Sequence, residues 1–106
     1  MIWKIRLGRR AEQDYVEILD WTTRSFGATQ ARTYAVTISR ALQALEDGPE
    51  IPGSKLRDEI EPGIRTLHVA RSGRKGRHFV VFRVDGDGFI DVLRLLHDSM
   101  DLPRNF

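Results

Sequence analysis

The sequence predicts an α+β domain in the order β-α-α-β-β-β, with an N-terminal strand, an antiparallel hairpin of two helices, and then a three-stranded antiparallel sheet. Three observations carry this. Apolar residues recur at helical spacing from about Arg9 to Leu45, apolar and polar residues alternate at strand spacing on either side of that stretch, and Gly48-Pro49, Pro52-Gly53 and Pro62-Gly63 punctuate the joins. With 106 residues and 41% hydrophobic content, the chain fits a single domain over 1–106 with one modest core.

Ile2 to Leu7 sets Ile2, Lys4 and Arg6 against Trp3, Ile5 and Leu7, the alternation of a half-buried strand, which belongs in one sheet with the later strands. From about Arg9 to Arg24, Ala11, Tyr15, Ile18, Leu19 and Thr22 repeat at helical spacing, with Glu12, Asp14, Glu17 and Asp20 mostly on other faces. Ser25-Phe26-Gly27 interrupts that helix. Ala31, Tyr34, Ala35, Ile38, Ala41, Leu42 and Leu45 then define a second one, which ends at Gly48-Pro49, where glycine takes a left-handed cap and proline cannot continue the ladder. The short link folds the two helices antiparallel. Glu50 to Glu61, with mixed charges and weak periodicity, reads as a surface connection.

The stretch from Pro62 to Val84 carries six basic residues and two histidines without one acid. Its alternation predicts strands at about Ile64–Arg71 and Arg77–Val84, joined by a turn from Ser72 to Gly76. That pairing sets Arg71 opposite Arg77 and Arg65 opposite Arg83, with His68 and His78 together on the other face. Like charges facing each other across strands destabilise the pair unless acids sit among them. Asp85, Asp87, Asp91 and Asp98 are internal candidates for that task, and an anionic partner is the external one. After the turn Asp85-Gly86-Asp87-Gly88, Phe89 to His97 is apolar on both faces. Ile90, Val92 and Leu96 point one way and Phe89, Leu93 and Leu95 the other, as in a strand buried on both sides. Two helices cover one face of such a sheet, and the apolar groups of the other face are expected to form an uncovered binding patch.

Several function classes are set aside by composition. The net charge is +2, and splitting the chain after Gly48 leaves both halves nearly neutral, so bulk charge gives little support to nonspecific nucleic-acid binding. There is no cysteine, hence no disulfide, thiol nucleophile or cysteine-ligated metal, and His68, His78 and His97 are too scattered for a metal motif. No run is long enough to span a membrane and the start lacks the apolar stretch of a signal peptide, so a cytoplasmic protein with no membrane partner and no cofactor is expected. The strand and helix spacing of Trp3, Trp21 and Phe26 assigns them to the core rather than to a base-stacking set. Tyr15 and Tyr34 likewise fall at core positions of the helices.

The chain resembles the ParE toxins of the ParE/RelE superfamily, the toxin halves of bacterial type II toxin-antitoxin pairs. The likeness rests on Ala11 and Asp14 to Trp21, Phe26-Gly27, Gln30-Ala31 with Tyr34, and Ala41-Leu42 with Leu45. It rests further on Pro62-Gly63-Ile64-Arg65, Gly76-Arg77-His78-Phe79, Phe82-Arg83-Val84, and Val92 to Leu102. Gly8 departs from it, standing where a serine-like helix cap is expected.

The resemblance implies a RelE/ParE-like fold and a toxin that poisons DNA gyrase without chemistry of its own. It implies neutralisation by a ParD-like antitoxin in a hetero-oligomer, with DNA contacted mainly through that antitoxin when the complex tunes its operon. The surface expected to meet target and antitoxin comprises Arg65, His68, Arg71, Arg74, Lys75, Arg77, His78 and Arg83, with Arg94, His97 and Met100 from the C-terminal segment. The alternative is a RelE-like, ribosome-dependent mRNA endonuclease, with His68 and His78 moving protons and the arginines holding phosphate. Against it, the chain ends without the tyrosine such nucleases often use, and histidines in strands are commonly half-buried groups satisfied by neighbours. His97 and Asp98 read as a hydrogen-bonded strand terminus.

Overall fold

A computed structural model describes residues 2–106. Strand β1 (Lys4–Leu7) leads into helix α1 (Arg9–Phe26) and helix α2 (Ala28–Ala44), which runs on into a short 3-10 turn at Leu45–Asp47. Strands β2 (Lys55–Leu56), β3 (Arg65–His68), β4 (His78–Val84) and β5 (Phe89–His97) follow, and a final short helix, α3 (Leu102–Asn105), closes the chain. The architecture is the expected α+β one, but the sheet has five strands, in the order β1-β5-β4-β3-β2. β1 joins it parallel to β5, and β2 adds a two-residue edge from within the stretch expected to be a plain connection. No helix among the described residues is long and apolar enough to cross a membrane.

The break between the helices is narrower than the sequence suggests. Only Gly27 lies between them, at φ 93°, a conformation that favours glycine. Its N–H donates to Thr23 O and its carbonyl accepts from Ala31 N–H, so one residue closes α1 and opens α2. At the start of α1, Gly8 stands as a cap without a side chain; its N–H donates to Val92 O at 2.9 Å, and its carbonyl accepts from Glu12.

The helices cover one face of the sheet as expected. Ala11, Ile38, Ala41 and Leu45 pack there on Leu67, Val80, Phe82, Ile90, Val92 and Leu95, burying the apolar stripe that makes this hairpin stable. The other face is not the bare patch that two helices alone would leave. Ile64, Val81 and Leu96 are buried there beneath Leu102 of α3, with Ile60 and Phe106 packed alongside. The chain's own C-terminus supplies this lid, and a four-residue helix is too short for periodicity to reveal.

Two register details also differ from expectation. β3 and β4 are shorter and joined by residues 69–77 rather than by a five-residue turn, so Arg65 stands opposite Phe82 and His68 opposite Phe79. Arg71 and Arg77 leave the ladder, and the facing arginine pairs do not form. This one-residue slip moves His68 and His78 to opposite faces, because side chains alternate across a strand. In β5, Arg94 pairs with Val81 and Val92 with Phe82, leaving Leu93 as the extra residue of a β-bulge. The bulge resets the alternation: Leu95 joins Ile90 and Val92 under the helices, while Leu96 joins Leu93 on the far face.

Candidate functional site

The basic loop 69–77 lies against α2, and Gly76 makes the approach possible. A Cβ at that position would sit 2.5 Å from Val69 Cγ2 and 3.0 Å from Tyr34 Cε1. The contact brings the Tyr34 hydroxyl, assigned by spacing to the core, into a polar cluster instead. Tyr34 Oη accepts from the Arg77 backbone N–H at 3.1 Å and meets His78 Nδ1 at 2.6 Å. Burial, and then the neighbouring His97, pushes His78 down to about 4, so the imidazole is neutral near pH 7. Burial also raises Tyr34 above the usual phenol range. His97 lies opposite His78 on the same face, with ring centroids 5.2 Å apart. Its Nδ1 accepts from Ser99 N–H at 3.1 Å, which makes His97 the bonded strand terminus that the sequence suggests.

On the other face, His68 Nδ1 accepts from Ala70 N–H at 3.0 Å and Nε2 donates to Asp98 Oδ2 at 2.9 Å. The His68 bond first, and then that of Arg77, holds the Asp98 carboxyl below its ordinary range. Arg77 thus ties the two faces together, its backbone bonded to Tyr34 and its Nε to Asp98 at 3.1 Å. Asp98 is the internal acid that offsets Arg77. Asp85 and Asp91 pair with Arg6.

The residues expected to form one surface therefore divide. His68, Arg74, Lys75, Arg77, His78 and His97 gather at one end of the sheet. Arg74 reaches back to α2, donating to Thr37 Oγ1 at 2.9 Å and Thr33 O at 3.2 Å, and Arg71 donates to Pro52 O at 3.2 Å. Arg65 is held by Ser54 Oγ and Pro49 O, whereas Arg83 is exposed further along β4, opposite Asp91. Met100 is exposed just after β5. Arg94 turns inward, where the bulge aims it at Asp14 of α1 in a two-pronged pair at 2.8 and 3.0 Å. Asp14, expected on an outer face of its helix, is buried by that contact.

Trp21 and Phe26 are a further correction. Neither is in the core: they are 56% and 65% exposed, and their rings meet edge to face with centroids 5.6 Å apart. Together with Tyr34, His78, His97 and the loop from Gly73 to Arg77, they line a groove of about 620 Å³. The clue in the sequence was their position beside Gly27 among Thr23, Arg24 and Ser25, a helix end too polar to bury. Among the described residues, no group of His, Asp or Glu is placed to hold a metal ion.

A sequence model of the ParE toxin of type II toxin-antitoxin systems, parDE, matches residues 5–102. The chain belongs to the ParE toxin family. It is 36% identical over 99 residues to Toxin ParE1 of Mycobacterium tuberculosis strain H37Rv, covering 93% of both chains. It is 35% identical over 98 residues to Toxin ParE1 of Caulobacter vibrioides, covering 91% of this chain and 90% of that one. Among solved structures, the fold is similar to a chain of the chromosomal ParDE system of P. aeruginosa, with a TM-score of 0.74 at 24% identity over 91% of this chain and 96% of that one. It is also similar to a chain of the RelBE2 toxin-antitoxin complex of Mycobacterium tuberculosis, with a TM-score of 0.60 at 19% identity over 92% of this chain and 99% of that one. The resemblance drawn from the motifs is thus correct at the level of family and fold.

Proposed function

We propose that this ParE-family toxin acts in the cytoplasm as a non-catalytic poison of DNA gyrase and is neutralised by a ParD-like antitoxin. The observation that carries the reading is the family match across residues 5–102, which spans every strand that builds the basic end of the sheet. The antitoxin reading has support from the P. aeruginosa neighbour, described as part of a ParDE system. DNA is then reached mainly through the antitoxin.

The chemistry of the cluster supports a poison rather than a nuclease. Both ring nitrogens of His68 are occupied within the chain, and His78 holds a neutral imidazole whose Nδ1 is capped by Tyr34. A general base needs a free, correctly poised nitrogen within reach of its proton. Arg77 and Lys75 offer instead a charged rim, with the exposed apolar Met100 beside it, suited to steering and register at a protein interface.

One observation favours the RelE-like endonuclease as a second reading. Tyr34 brings a phenolic hydroxyl beside His78 and Arg77, placing a tyrosine, a histidine and an arginine together.

Pulse labelling after induction separates the two readings. A gyrase poison depresses thymidine incorporation before methionine incorporation. Loss of methionine incorporation first, with DNA synthesis continuing, overturns the proposal in favour of message cleavage.

A further inference from the structure

The Trp21–Phe26 groove does not stop at the histidines. Arg74 stands between it and a second cavity of about 350 Å³, lined by Arg40, Gln43, Ala44, Val69, Arg71 and Ser72. The two lie end to end as a trough along α2, bridged where Arg74 bonds Thr33 and Thr37, and its α2 wall runs from Gln30 through Thr33, Thr37 and Arg40 to Ala44, the spacing of a single helix face. At helical rise this wall is about 21 Å long. Its opposite wall is the 71–77 loop, where Ser72, at φ 53°, and Gly73 turn the chain back toward α2.

The charge of the trough is one-sided. Among the described residues, no Asp or Glu lines either cavity, and Arg40, Arg71, Arg74 and Lys75 take part in no ion pair. The bonds of Arg71 and Arg74 run to neutral acceptors and leave their charge uncompensated. At the mouth of the wider cavity, Trp21 and Phe26 present aromatic surface to solvent. Soluble domains seldom expose two large adjoining rings without a use for them.

We infer that this trough binds a single strand of nucleic acid, with a base stacked on Trp21 and its edge against Phe26, and its phosphates running over Arg74 toward Arg40 and Arg71. The combination of a stacking platform with a cationic track is how sequence-tolerant single-strand sites work, because every base offers a π-face and every linkage an anion. The small net charge argues against nonspecific duplex binding, but it does not bear on a site whose cations are concentrated in one groove. A purely acidic peptide such as polyglutamate would satisfy the arginines but leave the two exposed rings uncovered. The inference is independent of whether gyrase is the target.

The test is fluorescence anisotropy with the full chain and a labelled oligothymidylate at low salt, with a matched duplex, thymidine monophosphate and polyglutamate as competitors. The single strand is expected to bind with a log–log salt slope of about −3, from about 0.7 per neutralised phosphate at four cations. Trp21→Ala is expected to weaken it about tenfold and Trp21→Phe to restore most of the loss. Arg40→Ala, at an exposed position, is expected to flatten the slope by about 0.7. Circular dichroism melts confirm that each variant is folded. The inference is overturned if the strand does not bind, if Trp21→Ala binds as well as the parent, or if duplex, mononucleotide or polyglutamate competes as strongly as the strand.

Discussion

The Arg94–Asp14 pair offers the sharpest test of how this fold is held together. Their side chains are 13% and 11% exposed, and both prongs of the guanidinium meet both carboxylate oxygens. The same carboxylate accepts from Leu95 N–H at 2.9 Å, and Arg94 Nη1 donates to Asn105 O at 2.8 Å, so α1, β5 and α3 converge on one interaction. Asp14→Ala strands a buried guanidinium, a loss of about 3–5 kcal/mol, and leaves the Leu95 N–H unpaired, which alone costs about 1–3 kcal/mol. The two costs share one carboxylate and do not add fully, so about 3–5 kcal/mol is the expected total. Against a domain stability of about 5–15 kcal/mol, that is a large fraction. At about 4 °C per kcal/mol the melting temperature falls by at least about 12 °C. In urea, the midpoint should drop with the slope unchanged. The double variant Asp14→Leu with Arg94→Met should recover the part due to the stranded ion, because an apolar pair of similar volume avoids the desolvation of two ions, while the unpaired Leu95 N–H keeps it about 1–3 kcal/mol below the parent. A single-variant loss below about 1 kcal/mol, the range of exposed pairs, or a double variant no better than either single, refutes the reasoning.

Gly76→Ala forces a Cβ against Val69 and Tyr34 and is expected to cost about 1–3 kcal/mol in urea denaturation, lifting the loop from α2. His78, lowered to about 4, is neutral in the folded chain while the unfolded chain binds a proton at its ordinary value of 6.5. Stability should therefore hold above pH 6.5 and decline as pH falls toward 4; NMR titration should find His78 protonating near 4, and His78→Phe should flatten the decline. Because Arg83 lies apart from the Arg77 cluster, plating efficiency under induction should rise for Lys75→Glu with Arg77→Gln and stay at the parental level for Arg83→Glu.

Legibility followed locality. β5 spans Phe89–His97 as its apolar run indicated, and Ala31, Ile38, Ala41 and Leu45 of the second helical stripe are all buried, because such patterns repeat within a few residues. The family motifs were legible for the same reason. What escaped depends on distant partners. Asp14 on an amphipathic helix reads as solvent-facing until Arg94, 80 residues later, is placed against it. The β3–β4 register depended on how much of the basic stretch left the ladder, and the bulge at Leu93 switches faces midway along a run apolar on both sides. Tyr34 has the spacing of a core residue and a ring that packs as one; only its hydroxyl, bonded by a loop 43 residues away, belongs to the site.

The most direct measurement of the central claim combines the purified chain with gyrase, plasmid DNA and ATP, and in parallel with a translating ribosome mixture. Trapped DNA breaks that depend on gyrase, with messages intact, are the predicted result. Cleaved message without breaks would contradict the poison reading and turn attention to Tyr34, His78 and Arg77 as catalytic groups.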